Sequence, residues 1–300
     1  MIMGFHTFKR SSWKDRPDGR YVKDITGVQA LMMNIFINRT DSEVYLSDKI
    51  DATELVKYLE RKNAEHPEYK TTIFHCMLTG ITRMVMERPF LNRFIQGRRM
   101  YERYEVGLAF IAKRQFADGA EESLMALTPG PEDTLDSISK TIVGDVTRMR
   151  KNPENHTGSD AVIDSLAKLP RLLLMFVTKI IRILDFWGHL PHFVWETDTN
   201  YATVLASNLG SIKCPSVYHH LNNYGTNSIM VTIGTLHKEE MLMEDGTRQM
   251  RDVIDIGATL DERIADGFYF ARSLKLIKYI FANPEMLDKP LGEPSGFEYK

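Results

Sequence analysis

The segment Thr259-Leu260-Asp261-Glu262-Arg263-Ile264-Ala265-Asp266-Gly267-Phe268 ends a strand-like run and opens a helix. Strand-like runs at 228–236 and 251–260 precede it, and a helix from Asp266 to Phe281 follows, stopping before Asn283-Pro284. Any fold for this chain must let paired strands hand over directly to a helix. Upstream, residues 31–38 and 43–50 read as β. Asp51-Ala52-Thr53-Glu54 reads as a helix start, with Asp51 to cap and Glu54 three residues on. Ile73, Met77, Leu78, Ile81, Met84 and Val85 give residues 71–87 a helical period, stopped by Pro89. Residues 104–113 and 201–207 are strand-like, Leu135 to Met149 carries a second amphipathic period, and residues 151–160 form a polar break. Strands and helices interleave without strict βαβ alternation. The expectation is an α/β two-layer sandwich, a mixed sheet covered by helices, rather than a doubly wound parallel sheet.

Composition narrows the function classes. The 300 residues are 43% hydrophobic and 26% charged, enough for a sizeable core. A net charge of -2 makes no electrostatic case for nucleic acid, and Arg98-Arg99 and residues 148–151 read as solvated turns and helix ends. Cys76 and Cys214 form neither a disulfide framework nor a metal knuckle, and the first residues lack a secretory apolar region. A cytoplasmic location is expected, and the two glycosylation sequons at Asn38 and Asn155 then mean little. No Gly-x-Gly-x-x-Gly or Gly-x-x-x-x-Gly-Lys-Ser/Thr loop supports a nucleotide fold, and there is no internal repeat.

Several blocks together resemble one family. Asp261 to Gly267 resembles the His-x-x-x-Asp-Gly signature of chloramphenicol acetyltransferase and of the dihydrolipoyl acyltransferase cores of 2-oxoacid dehydrogenase complexes, with Glu262 where that family has histidine. In the same order, Asp51-Ala52-Thr53-Glu54-Leu55, Arg88-Pro89-Phe90-Leu91-Asn92, Val106-Gly107-Leu108-Ala109-Phe110, Ala206-Ser207-Asn208-Leu209-Gly210, Ile229 to Gly234 and Asn283-Pro284-Glu285 are similar to family segments, covering about residues 30–290.

The resemblance implies one acyltransferase-like domain over 1–300, with a polar arm at 1–25 and an enlarged connection at about 129–200. It implies a homotrimer whose interfacial tunnel admits coenzyme A from one side and a small acyl acceptor from the other. No lipoyl domain and no metal are expected. Carried over by position, Ser207 is the oxyanion donor, Asp266 the structural aspartate, often held through an arginine, and Glu262 occupies the base position. General-base and oxyanion contributions of this kind are each worth orders of magnitude in rate.

A glutamate ordinarily titrates near 4.3 and a thiol near 8.5, so a carboxylate base needs burial to raise it, by roughly 2.7 units to reach 7. Glu262 therefore reads either as a modified base or as a polar residue of an eroded site. His219-His220 is the best substitute base, against the plainer reading of surface histidines. His189 and His192 lack the carboxylate or cysteine that would make a metal site. Residues 172–187 are the most apolar stretch, interrupted by Lys179, Arg182 and Asp185: too short and charged to span a membrane. They fit a core or oligomer interface, a lid, or, least well, a helix lying on a membrane.

Overall fold

The computed structural model describes residues 5–65, 69–113, 122–151, 165–243 and 245–299. The N-terminal stretch lies against the body rather than apart from it. Phe5 is buried, and Arg16, ahead of β1 (Gly19–Tyr21), is ion-paired to Asp18 and Asp185. Helix α1 (Gly27–Ile35) occupies most of the stretch that reads as β at 31–38. Thr26 and Gln29 exchange side-chain-to-backbone hydrogen bonds in a capping box, which starts a helix just before an apolar run whose period is ambiguous by itself. Strand β2 (Glu43–Asp51) ends where Asp51 accepts from the Thr53 amide, and α2 (Thr53–Glu65) begins there, as the sequence suggests. Helix α3 (Ile73–Glu87) is capped by Thr72 and stopped before Pro89.

Next come β3 (Arg93–Gln96) and β4 (Arg99–Arg103), a hairpin that joins β1 in a three-stranded sheet ordered β1-β4-β3. The chain continues through β5 (Leu108–Lys113), β6 (Glu122–Leu127) and α4 (Leu135–Lys151). The polar break at 151–160 falls almost wholly outside the described residues. Helices α5 (Arg171–Phe186) and α6 (His192–Trp195) follow, then β7 (Val204–Asn208), the hairpin of β8 (Ile229–Leu242) and β9 (Arg248–Asp261), and α7 (Gly267–Ala282). Strand β7 starts later than the 201–207 reading because Thr199–Tyr201 is a 3-10 turn.

The main sheet runs β2-β9-β8-β7-β5-β6, with β5, β7 and β8 parallel and the other pairs antiparallel. It is the mixed sheet expected. Alternation along the strands sorts its faces. Ile254, Ile256 and Leu260 of β9 and Val204 and Ala206 of β7 join Leu55, Met77, Ile81 and Ile277 in the helix-side core. Burying each large aliphatic of this kind contributes roughly 1.5–3 kcal/mol. The intervening residues, among them Ser207, Thr232, Gly257 and Asp261, face the other way. A smaller cluster of Phe5, Ala109, Ala126, Trp195 and Tyr201 covers only the β5–β6 end of that second face.

Helix α5 has three faces at 100° per residue. Leu174, Val177, Ile181, Leu184 and Asp185 turn toward the protein, Arg171, Thr178, Lys179 and Arg182 form a polar edge, and Leu172, Phe176, Ile180, Ile183 and Trp187 lie outward. Phe176 is 62% and Trp187 64% exposed. Among the described residues no helix is long and apolar enough to cross a membrane.

Candidate active site

The strand-to-helix turn is held by charge. Asp261 is wholly buried at the end of β9, and a carboxylate there needs partners. Arg263 supplies a fork, Nε to Oδ1 at 2.8 Å and an Nη2 donor to Oδ2 at 2.7 Å, while Ser42 Oγ donates at 3.0 Å. Arg39 stands behind with Nε 3.9 Å from Oδ2; burial pulls its guanidinium below the ordinary value and Asp261 opposes this. Arg263 also donates to the Phe36 carbonyl, and Arg39 to those of Ile95 and Asn222. The turn is thereby tied to α1, β3 and the loop before β8.

Glu262 sits on that clamp. Its amide donates to the Ser42 carbonyl at 3.0 Å, its side chain is half-buried, and among the described residues its carboxylate has no hydrogen-bond or ion-pair partner. Asp266 is exposed and caps α7, accepting from the Tyr269 amide at 2.7 Å. The arginine pairing expected for the motif aspartate falls on Asp261, five residues earlier, because Asp261 is the buried carboxylate of the turn whereas Asp266 is exposed.

Ser207 lies at the far end of the sheet. It pairs in register with Thr232, and Thr232 with Gly257. From Gly257, β9 runs the opposite way for four more residues to Asp261 and then Glu262. Two strand spacings across and five residues along separate Ser207 from Glu262 by about 19 Å. One chain does not bring them together. A cleft of about 490 Å³ opens one residue beyond Ser207, between the Asn208–Ser211 turn, Leu236, and Lys70 to Phe74 at the start of α3.

The loop 213–223 crosses the sheet face between these ends. Val217 exchanges hydrogen bonds with the Thr232 hydroxyl, and it lies so close to Gly257 that a Cβ there would come 2.5 Å from its carbonyl oxygen. Tyr218 then packs on Tyr45, and the Leu221 amide donates to Glu43, the register partner of Asp261. His219 and His220 are thus carried to the Glu262 end, both exposed. Their Nδ1 atoms lie 2.9 and 3.0 Å from the carbonyls of His220 and Leu221. A carbonyl can only accept, so Nδ1 carries the proton and Nε2 is left as the base in the neutral ring. His192 is engaged otherwise, with Phe5 O at 2.8 Å and Glu196 at 3.0 Å. Sequence reading did not single out Asp261, Arg39 or Ser42. Only Asp261 carried a signal, as an acid at a strand end two residues before Arg263.

No protein-family model and no curated protein sequence matches the chain. Solved structures do. A probable dihydrolipoamide acetyltransferase from Listeria monocytogenes superposes with a TM-score of 0.57 at 16% identity, covering 94% of this chain and 99% of that one. The dihydrolipoamide acetyltransferase of Azotobacter vinelandii gives 0.57 at 14% identity over 89% and 93%. A truncated catalytic core of the 2-oxoacid dehydrogenase complex from Thermoplasma acidophilum gives 0.54 at 14% identity over 88% and 99%. The chain has the fold of these acyltransferase cores, the same proteins that its motif blocks resemble.

Proposed function

We propose that this chain is a coenzyme A-dependent acyltransferase-like protein with an altered site, moving an acyl group from acyl-CoA to a small thiol or hydroxyl acceptor. One observation carries the reading: on an acyltransferase-core fold, Glu262, which the sequence resemblance aligns with the base, sits on a turn fixed by the buried Asp261–Arg263 pair, with its carboxylate unengaged among the described residues. Ser207 is the proposed oxyanion donor, and the adjoining cleft is the proposed place for coenzyme A, with Lys70 at its edge to meet a phosphate. The separation of Ser207 from Glu262 fits a site completed by a second subunit, hence a cytoplasmic homotrimer of acyltransferase-like domains. Asp266 serves by starting α7. His219 and His220 are the reserve bases, since each offers a free Nε2 at the same end of the sheet.

A second reading is favoured by the carboxylate itself. Glutamate replaces imidazole with a shorter, ordinarily ionised group, which suits a non-catalytic relative that binds an acyl or coenzyme A ligand or scaffolds an assembly.

The test has two parts. Coenzyme A should raise the melting temperature, as a native-state ligand must. Acetyl transfer to a panel of thiols and alcohols should then be measured in wild type, Glu262→Gln, Glu262→His and His220→Ala. Glu262→Gln should abolish transfer if Glu262 is the base, whereas only His220→Ala should do so if the imidazole is. Glu262→His should raise transfer if the site is eroded, because imidazole titrates near neutrality. Folded but inactive proteins throughout, still stabilised by coenzyme A, would leave the binding reading standing; no stabilisation would remove both.

A further inference from the structure

Arg98 occupies a backbone conformation that an arginine has no conformational reason to occupy. It and Gly97 form the two-residue β3–β4 turn, with φ of 58° at each. Both central residues of such a turn favour glycine, asparagine or aspartate, because an L side chain in the left-handed region crowds its own carbonyl. Gly97 is required for a second reason: a Cβ there would collide with the Phe186 carbonyl oxygen, so the turn seats directly on the end of α5. Arg98 satisfies no local need. Its side chain is exposed and, among the described residues, makes no hydrogen bond and no ion pair, and the same is true of the exposed side chain of Arg182 on α5.

Both arginines line a cavity of about 160 Å³ between α1, the β3–β4 turn, α5 and the loop at 223–224. Arg39 and Arg263 line it from the buried side, and Met33, Ile37, Ile95 and Phe186 supply apolar wall. The acids nearby are already taken. Asp261 is forked by Arg263, and Asp185 is held by Arg16 and Gln96. Even with Asp18 and Asp185 both set against Arg16, the surroundings stay positive. Strain retained at a residue that contributes a charge to a cavity is an observation that points to a ligand.

We propose that this cavity binds a small organic anion, a carboxylate on an apolar body about the size of one aromatic ring. The size follows from comparison with an engineered apolar cavity of about 150 Å³ that takes up benzene. The charge follows from Arg98 and Arg182, whose planar donors match a carboxylate, and the apolar half from the wall residues. The inference does not rest on acyl transfer, since Glu262 is not among the residues that line the cavity.

Benzoate, benzamide and inorganic phosphate, titrated calorimetrically at constant ionic strength, test it. Benzoate should bind wild type, while neutral benzamide and phosphate should not. Arg98→Gly should keep or raise the melting temperature, because glycine relieves the left-handed backbone, yet weaken benzoate at least about tenfold; Arg182→Ala should weaken it likewise. Glu262→Gln should bind benzoate as wild type does, so a failed catalytic reading and a failed anion site are told apart. Absence of benzoate binding at millimolar concentration, equal binding of benzamide, binding of phosphate alone, or unchanged affinity in both arginine variants would each overturn the proposal.

Discussion

Asp261 and Asp266 are five residues apart and hold the same turn by different means. Asp261 is buried and forked by Arg263, so Asp261→Ala strands a guanidinium that is itself 3% exposed. Breaking such a pair from one side costs about 3–5 kcal/mol. Asp266 is an exposed cap, and caps are worth about 1 kcal/mol. Urea unfolding should therefore rank Asp261→Ala well below Asp266→Ala; equal losses would show that the pair does not hold the turn. His75 gives a prediction in pH. Burial lowers its pKa from 6.5 to about 4, so the folded protein stays unprotonated where the unfolded chain takes up a proton. The associated stability is fully present above pH 6.5 and declines as pH falls through about 4, by up to about 3 kcal/mol. His75→Gln should flatten that limb of the stability profile while keeping the capping box with Thr72, in which glutamine serves as well. An acid limb unchanged in the variant would assign it to other groups.

At the level of elements, legibility followed the strength of local signals. Helix α2 was readable from its Asp51 start signal, α3 from its apolar period and Pro89, and α7 from its start at Asp266 and the stop before Asn283-Pro284. Helix α1 was not, because residues 31–38 are apolar at nearly every position and a short apolar run has no period to read. The signal that decides it is the Thr26–Gln29 box upstream. The β3–β4 hairpin was missed for a related reason: its turn is Gly97-Arg98 rather than Gly with asparagine or aspartate. The apolar stretch at 172–187 is the helix its spacing allows. Its division into an inward face, a basic edge and an outward apolar stripe depends on which side meets the protein, and periodicity does not state that.

For the whole molecule, helices α1 and α5 are among those that present apolar residues to solvent on the single chain: Leu31 of α1 is 59% exposed and Phe176 of α5 62%. Uncovered surface of this kind, with Ser207 and Glu262 at opposite ends of one sheet, motivates the proposed homotrimer. Light scattering at micromolar concentration should return three times the 34.5 kDa chain mass; a monomer that still transfers acetyl groups would remove the shared site. The sequence by itself determined the mixed sheet, most of its helices and the order of motif blocks, because caps, periods and turn residues act over a few positions and are written locally. It also placed Glu262 at the motif turn. Only the tertiary structure decided that Asp261 rather than Asp266 takes the arginine, that His219-His220 reaches the same strand end, and that Ser207 stands about 19 Å away. Those facts depend on strand register and on which face of β9 each residue takes, and pairings between residues 25 to 218 positions apart leave no mark on either partner alone.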